Sequence, residues 1–515
     1  MSNTSGYGSK HAPATEILAN ITSSIKMGDY DKTFHALYPL CEAMECRERY
    51  EELIDLFIEE FYCNSNNIDG SHIIDNVKND CATNCNMQND CAINGNAQND
   101  CATNCNVKND CATNDGAKND NADIRVAIIS APGRTEICGN HTDHQHGNVL
   151  AAAIDLDIIC IAATNGSNII RIKSVGHSII NIDINELEQR EDEVGEAAAM
   201  IRGLAAWYTR RGVALRGFDA YTSSNVLIGS GLSSSAAFEV AIGVTINTLF
   251  NGGASQLEIA IAGQYAENQY FGKPCGLMDQ TASSVGGFVQ IDFADPGKPI
   301  VEPVLCDLAA HGILLCVVNT KGSHADLIGE YASIPDEMHA VAKYFGKFYL
   351  RDVAECDFYS NLAKIRDVLH AERNDGNVAL ATDRALLRAM HFFNEDKLVQ
   401  EAAEALHSAD IARFLDCINR SGQSSFNYLQ NIFAVTQPGE QGLAIALALS
   451  ESILRPKGGA WRVHGGGFAG TIMAFVPDAL HSLYKRTLEE VFGENSCITL
   501  SIRKFGGVEV TENLV

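Results

Sequence analysis

The sequence predicts an α+β fold, because segments typical of strands and of helices both occur but do not alternate strictly. Apolar patterning favours strands, including a hairpin region, at Arg125–Ile129, Leu156–Ala162, Ile169–Lys173, Ile179–Ile184, Ile313–Asn319, Trp461–His464 and Ile472–Val476. Helices are expected at Glu196–Arg210, Ser233–Asn247 and Gln256–Phe271, and across most of residues 334–420. With 515 residues, 46% of them hydrophobic, the chain is long enough for two to four domains with their own cores.

The N-terminal region has the spacing of helices. Ile17, Leu18 and Ile21 recur at helical intervals, and the run is interrupted at residues 27–29. We therefore expect two or three helices, within a helical N-terminal extension over residues 1–75, that pack on another part of the chain.

Residues 76–121 contain a repeat with a period of ten. Asp and Cys return at the same phase, for example at Asp80 and Cys81 and again at Asp90 and Cys91. Large apolar side chains are nearly absent, so burial cannot offset the entropy of ordering the segment. We expect a disordered, low-complexity insertion. Metal binding is the alternative, although only Cys81/Cys85 and Cys101/Cys105 approach the spacing of a zinc site.

Charge and cysteine content exclude some functions. Asp plus Glu outnumber Lys plus Arg by 65 to 38, which gives a formal net charge of −27 and opposes binding to nucleic acid or to anionic lipid. No apolar run approaches the length of a membrane span, and the N-terminus lacks the apolar core of a signal peptide. We expect a cytoplasmic protein, favoured as a monomer, whose 17 cysteines are reduced.

The strongest local signal for chemistry lies in residues 228–239, IGSGLSSSAAFE. Glycines let the backbone approach a ligand closely, and the free N–H groups at the start of the following helix favour an anion. The serine hydroxyls add hydrogen-bond donors and a candidate magnesium ligand. A capped helix after a glycine turn is the structural alternative.

Three further segments concentrate polar groups or glycines. Residues 131–144, APGRTEICGNHTDH, carry a fixed cation, a carboxylate and histidines in what reads as a loop after a strand, where Asn140, His141 and Asp143 could bind sugar hydroxyls. Residues 273–280, KPCGLMDQ, place one acid, Asp279, in an apolar stretch, with Glu267 on the preceding helix. Residues 463–470, VHGGGFAG, form another glycine loop, which has many uses.

Together and in this order, these segments closely resemble the galactokinase family of the GHMP small-molecule kinases. The resemblance covers about residues 124–515 and the preceding helix near residues 49–61. It implies two lobes, one like domain 2 of ribosomal protein S5 over residues 122–310 and a ferredoxin-like lobe over residues 311–515, with the active site between them. It also implies ATP and Mg²⁺ as cofactors, and a small-molecule sugar and ATP as the only partners.

The resemblance assigns roles residue by residue. Asp279 corresponds to the acid that accepts or orients the anomeric hydroxyl, and Arg134 to the arginine that stabilises charge on the transferred phosphoryl group. The ATP-binding positions are Ser174, Gly229, Ser230, Gly231, Leu232, Ser233, Ser234 and Ser235. The sugar-binding positions are Asn140, His141, Thr142, Asp143, Gly276 and Tyr331. Ser235 and Glu267 fall at the magnesium-ligand positions, and oxygen ligands suit that ion.

The resemblance implies transfer of a phosphoryl group from ATP to the anomeric hydroxyl of a hexose, most simply D-galactose. Asn140 stands where the family signature has Glu. Residues 143–145 are Asp-His-Gln where the family has Asp-Tyr-Asn, and Asp-His-Gln is similar to the sequence of sugar-acid kinases of the same superfamily. The alternatives are therefore a 1-kinase for galacturonate or another uncommon sugar, and a non-catalytic sugar sensor on the same fold.

Overall fold

The computed structural model describes residues 14–63, 124–227, 231–273, 275–322, 327–374, 382–468 and 470–511. Met1–Ile58 and Ile124–Val515 form one compact unit, and Glu59–Asp123 form a second. Within the second unit the described residues are Glu59–Cys63, which form one π-helical turn. The predicted repeat at residues 76–121 lies outside the described residues.

Three helices, α1 (Ala14–Met27), α2 (Asp31–Leu37) and α3 (Ala43–Ile58), begin the first unit. They are fixed to the rest of the unit through Asp157, which has no exposed surface. The Tyr38 hydroxyl donates to its carboxylate at 2.5 Å, and Arg49 forms an ion pair with it at 2.7 Å. The prediction of two or three packed N-terminal helices is thus confirmed.

A large sheet of eight strands forms the first layer. Its strands are β1 (Val126–Cys138), β2 (Asn148–Thr164), β3 (Ile169–Ser174), β4 (Ile180–Asp183), β5 (Phe218–Ser224), β6 (Phe288–Asp292), β7 (Ile300–Val304) and β12 (Val508–Glu509). The order is β12-β1-β2-β5-β3-β4, and β6 pairs with β2 and with β7. Of these pairings β3–β5 is parallel and the others are antiparallel.

The helices α4 (Ala197–Arg210), α5 (Ser234–Leu249), α6 (Gln256–Ala266) and α7 (Met278–Val285) are interleaved with these strands. Ala and β-branched residues on α5, such as Ala237, Val240 and Ala241, are fully buried in the main core together with strand residues such as Ile129 and Cys160. Because α5 begins directly after the glycine–serine loop, this packing fixes the position of its N-terminus.

The rest of the unit is a four-stranded sheet with helices around it. Its strands β8 (Ile313–Asn319), β9 (Ala460–Val463), β10 (Thr471–Pro477) and β11 (Cys497–Leu500) are antiparallel in the order β11-β8-β10-β9. The helices are α8 (Ile328–Tyr344), α9 (Glu355–Ser360), α10 (Leu362–Asn374), α11 (Thr382–His407), α12 (Ile411–Ser424), α13 (Gly442–Leu454) and α14 (His481–Phe492). The predicted α+β fold is confirmed. No described helix is long and apolar enough to cross a membrane.

One expectation from the sequence was wrong. Ala131–Cys138 were read as a loop after a short strand, but they continue β1, which pairs with β2 along nearly its whole length. The pairing shifts register between Pro132 and Arg134 and again between Glu136 and Cys138. Such irregularities let a strand that contains Pro and Gly stay in the sheet while its side chains are redirected.

Candidate active site

Arg134 and Asp279 form the centre of the site. Arg134 lies on β1 and Asp279 in the first turn of α7, and the guanidinium donates to both carboxylate oxygens at 2.7 and 2.6 Å. Burial acts to raise the pKa of Asp279, but the charge and hydrogen bonds of Arg134 outweigh it, so the pKa lies below its usual value. About 31% of the Asp279 side chain is exposed, so a substrate can reach an ionised carboxylate.

The glycine–serine loop meets the same pair. Ser233 donates its hydroxyl to Asp279 Oδ2, and Arg134 donates to the Gly231 carbonyl. Ser233 has a φ of 55°, a left-handed conformation that is uncommon for a residue other than glycine. Because its side chain binds Asp279, it does not cap α5, and the first N–H groups of that helix have no capping side chain.

Two close approaches hold this loop on β1. The Arg134 N–H donates to the Leu232 carbonyl at 3.0 Å, and a Cβ on Gly133 would lie 2.7 Å from the same oxygen. On the other side, a Cβ on Gly231 would lie 3.1 Å from Nδ1 of His464. Burial lowers the pKa of His464 to about 3, so this ring is neutral at physiological pH.

The loop that follows β9 gathers three of the predicted sugar-binding residues. Consecutive carbonyls accept from them: Gly465 from Asn140 at 2.6 Å, Gly466 from His141 at 3.2 Å and Gly467 from the Tyr331 hydroxyl at 2.9 Å. A Cβ on Gly466 would lie only 2.5 Å from the Tyr331 ring, so glycine is required there. The VHGGGFAG segment therefore positions three residues that were predicted to bind the sugar, a role that its sequence did not indicate.

Asn140 is buried, with 1% of its surface exposed, and its amide is engaged by the protein. Its Nδ2 donates to Glu136 Oε1 at 3.0 Å as well as to Gly465, and its Oδ1 accepts from Asn431 at 2.7 Å. His391 on α11 donates to its backbone carbonyl at 2.8 Å. The structure thus places Asn140 behind the surface of the site, in contact with Glu136.

Two of the remaining predicted sugar residues, Thr142 and Asp143, lie in the turn after β1, and the third, Gly276, lies in the loop before α7. The Thr142 hydroxyl is fully buried and is hydrogen-bonded to the Gly139 and Asn148 carbonyls, so it orders the turn. Asp143 is partly exposed, and its Oδ2 would lie 2.9 Å from a Cβ on Gly276. The absence of a side chain at Gly276 therefore lets the two loops meet at a carboxylate.

A buried acidic cluster lies behind Asp279. Gln280 donates from Nε2 to Glu239 at 3.0 Å and to Glu267 at 2.9 Å, and Lys273 pairs with Glu267 at 3.1 Å. Burial and the nearby Glu267 carboxylate raise the pKa of Glu239 well above its usual value. Glu239 Oε1 and Gln280 Oε1 have no hydrogen-bond partner among the described residues.

This cluster suits an oxygen-coordinated cation. Ser235 lies one turn before Glu239 on α5 and so shares its face of the helix. Among the described residues, no three or more His, Cys, Asp or Glu side chains converge closely enough to hold a metal by themselves. Mg²⁺ usually binds through one or two carboxylates and completes its shell with water and substrate phosphates.

The other predicted nucleotide positions are only partly visible. Ser234 opens α5, and Ser174 ends β3, where its hydroxyl shares a hydrogen bond of 2.7 Å with Thr222 on β5. Gly229 and Ser230 lie outside the described residues. Sequence reasoning missed Glu136 and Glu239 as buried acids, because nothing in a single sequence shows which carboxylates lose contact with water.

The chain matches two known family descriptions. The N-terminal domain of the GHMP kinases matches residues 197–287, and the galactose-binding signature of galactokinases matches residues 119–164. Among solved structures, the chain resembles the galactokinase of Lactococcus lactis, crystallised with galactose, with a TM-score of 0.60, 22% identity and coverage of 75% of this chain and 95% of that one. The mevalonate kinase of Methanococcus jannaschii aligns with a TM-score of 0.52 at 14% identity, over 73% and 98% of the two chains.

Curated relatives are more similar in sequence. A galactokinase of Actinobacillus pleuropneumoniae serotype 3 is 32% identical over 68% of this chain and 85% of its own length. A galactokinase of Glaesserella parasuis serovar 5 is 30% identical over 72% of this chain and 90% of its own. The chain therefore belongs to the galactokinase family of the GHMP kinases and is an ATP-dependent sugar 1-kinase.

Proposed function

We propose that this enzyme transfers the γ-phosphoryl group of ATP to the anomeric hydroxyl of D-galactose, giving galactose 1-phosphate and ADP. The observation that carries the proposal is the contact of Asp279 with both Arg134 and Ser233, because it joins a carboxylate to the start of the phosphate loop. An acceptor hydroxyl bound at Asp279 would lie beside the uncapped N-terminus of α5, where phosphate binds favourably.

The geometry suits phosphoryl transfer, which needs positioning and charge stabilisation more than covalent chemistry. The anomeric oxygen attacks the γ-phosphorus, the bond from that phosphorus to the β–γ bridging oxygen breaks, and ADP leaves. The hydroxyl proton passes to Asp279. Because Arg134 holds the pKa of Asp279 low, this carboxylate orients the hydroxyl first and accepts the proton as the new P–O bond forms.

Arg134 is placed to balance the charge that develops during transfer. Its guanidinium spans Asp279 and the Gly231 carbonyl, and so lies between the acceptor side and the phosphate loop. Ser235 and Glu267 would hold Mg²⁺, which supplies positive charge to the phosphates. Ser174 and the residues 229–235 are proposed to bind the nucleotide.

The sugar would lie against His141, Asp143, Gly276 and Tyr331. Burial and the neighbouring His144 lower the pKa of His141 to about 3, so the ring is neutral and, with Nε2–H donated to Gly466, presents Nδ1 as an uncharged acceptor. Asp143 adds a carboxylate that accepts hydroxyl protons. Asn140 and Thr142 support this surface from behind.

The proposal is tested by measuring ADP release from ATP and Mg²⁺ across hexoses and hexuronates, with the product's phosphorylated carbon located by NMR. We expect galactose to give the highest kcat/KM and a product phosphorylated at C1. A galactose analogue without the anomeric hydroxyl is the control and should give no sugar-dependent ADP. Faster turnover of a different sugar would replace galactose as the substrate.

A further inference from the structure

Glu136 is a buried acid that the mechanism above does not use, and it faces the site. It lies two residues after Arg134 on β1, and the pairing of residues 134–136 with β2 is regular. Side chains two apart on a strand point to the same side, about 7 Å from each other. If the reactive hydroxyl lies at Asp279 beside Arg134, Glu136 is about one sugar ring away, within reach of the groups at the outer edge of the sugar.

One half of the Glu136 carboxylate is still available. Oε1 accepts from Asn140 at 3.0 Å, and no described protein group donates to Oε2. The Glu136 side chain is 8% exposed, and Oε2 is not fully buried. Oε2 can therefore meet a ligand. Asn140, whose amide is already bonded to Glu136, Gly465 and Asn431, has no such open position.

We propose that Glu136 is a specificity-determining residue for the sugar: its Oε2 accepts a hydroxyl of a neutral hexose and opposes a hexuronate whose carboxylate would occupy the same place. This inference rests on the proposed function. In this proposal Glu136, which is held by Asn140, recognises the outer edge of the sugar. It also disfavours galacturonate, because the two carboxylates would face each other in a site with little water.

Burial lets Glu136 titrate near neutrality. Burial raises the pKa of Glu136 to about 7, and the Asp143 carboxylate adds to this, while Arg462 at 3.6 Å and Arg134 act in the opposite direction. Arg462 is shared with the buried Glu395 at 3.7 Å and is not dedicated to Glu136. A protonated Glu136 can donate to a sugar carboxylate, so discrimination against hexuronates should weaken at low pH.

The test compares kcat/KM for galactose and galacturonate in the wild type and in Glu136→Gln, from about pH 5.5 to about pH 8.5, where galacturonate stays ionised. For the wild type we expect the preference for galactose to grow about tenfold or more across this range. For Glu136→Gln, which cannot ionise, the preference should be about tenfold lower at the high end and independent of pH. Glu136→Asp keeps the charge and should keep the pH dependence.

His144 is the control, because its ring is exposed and lies 3.8 Å from the Asp143 carboxylate. His144→Gln should retain the wild-type pH dependence. The inference is overturned if Glu136→Gln leaves the ratio and its pH dependence unchanged, or if His144→Gln abolishes them. It is also overturned if the wild type shows no change of preference with pH, a measurement that needs no variant to fold. Failure of every sugar to release ADP would refute the proposed function instead.

Discussion

Ser233 shows how one side chain links the glycine–serine loop to Asp279, the proposed catalytic acid. Its left-handed backbone turns the hydroxyl away from α5 and onto Asp279. A hydrogen bond to a charged group is worth about 1.5–3 kcal/mol, and this one helps keep the pKa of Asp279 low.

Ser233→Ala should therefore lower kcat by about ten- to a hundredfold and raise the pKa of Asp279. The pH profile of kcat reports both effects, and Ser452→Ala, at an exposed hydroxyl bonded within its own helix, is the matched control. A kcat within twofold of the wild type would mean that the Ser233–Asp279 bond does not contribute to catalysis.

Glu136 should also affect stability, in a direction set by its pKa. The pKa in the folded protein, about 7, lies above the ordinary value of 4.5, so its stabilising contribution is present below about pH 4.5 and is lost as the pH rises through 7. Glu136→Gln removes the buried charge and keeps an acceptor for Asn140. Its free energy of unfolding should exceed that of the wild type by about 2–3 kcal/mol at pH 8. This difference in the free energy of unfolding, measured by thermal melting, should shrink towards pH 5. A variant less stable than the wild type at pH 8 would contradict the expectation.

At this scale the sequence predicted which residues gather but not their contacts. Arg134, Asp279 and Tyr331 were singled out from motifs, and the structure brings Arg134 into contact with Asp279 and Tyr331 into contact with the loop after β9. The sequence could not show that the Asn140 amide hydrogen-bonds to Glu136 and Asn431, because Asn431 is 291 residues away in the chain. Burial of a particular carboxylate is a property of the folded core.

The glycine loop after β9 acts as an element, because its backbone orients side chains from the turn after β1 and from α8. A Cβ at Gly466 would push into the Tyr331 ring, while one at Gly329 on α8 would meet nothing within 4 Å. Gly466→Ala should therefore raise KM for the sugar about tenfold or more, with a smaller effect on KM for ATP, since a clash of this kind displaces the ring.

Gly329→Ala is the matched control and should leave both KM values near those of the wild type. Steady-state kinetics with each substrate varied in turn separates the two effects. Equal changes in both KM values for Gly466→Ala would show that the loop does not act on the sugar side alone.

Elements were predicted best where the pattern was strongest. Ile313–Asn319 was expected and observed as β8 with the same bounds, because a continuous apolar run predicts a buried strand. β1 was predicted too short, since Pro132 and Gly133 read as the end of a strand. The strands β5, β6, β7, β11 and β12 were missed, and the pairing of β12 with β1 depends on contacts across the whole chain.

At the scale of the whole molecule, the described N-terminal helices belong to the catalytic unit through Tyr38, Arg49 and Asp157. The sequence indicated helices but could not show their partner, which is 108 residues beyond Arg49. Residues 76–120 differ in composition, and the near absence of large apolar residues predicts that they do not add to a core.

Excision of residues 76–120 should leave the melting temperature and kcat nearly unchanged, because even doubling a loop costs only about 0.6 kcal/mol. Calorimetry and the coupled kinase assay measure both. A large loss of either, or stoichiometric zinc in the full chain that disappears on excision, would instead assign the repeat a structural or metal-binding role.

We propose that phosphoryl transfer occurs at Asp279, which Arg134 and Ser233 hold in place. Single-turnover phosphorylation of galactose by Asp279→Asn, with sugar and nucleotide binding measured separately by calorimetry, tests it most directly. We expect transfer to slow by about 10²–10⁴ while both ligands still bind, because Asn keeps the size but not the charge of the side chain. Asp367→Asn, at an exposed acid on α10, should transfer at the wild-type rate. Transfer by Asp279→Asn at a rate near that of the wild type would contradict the claim.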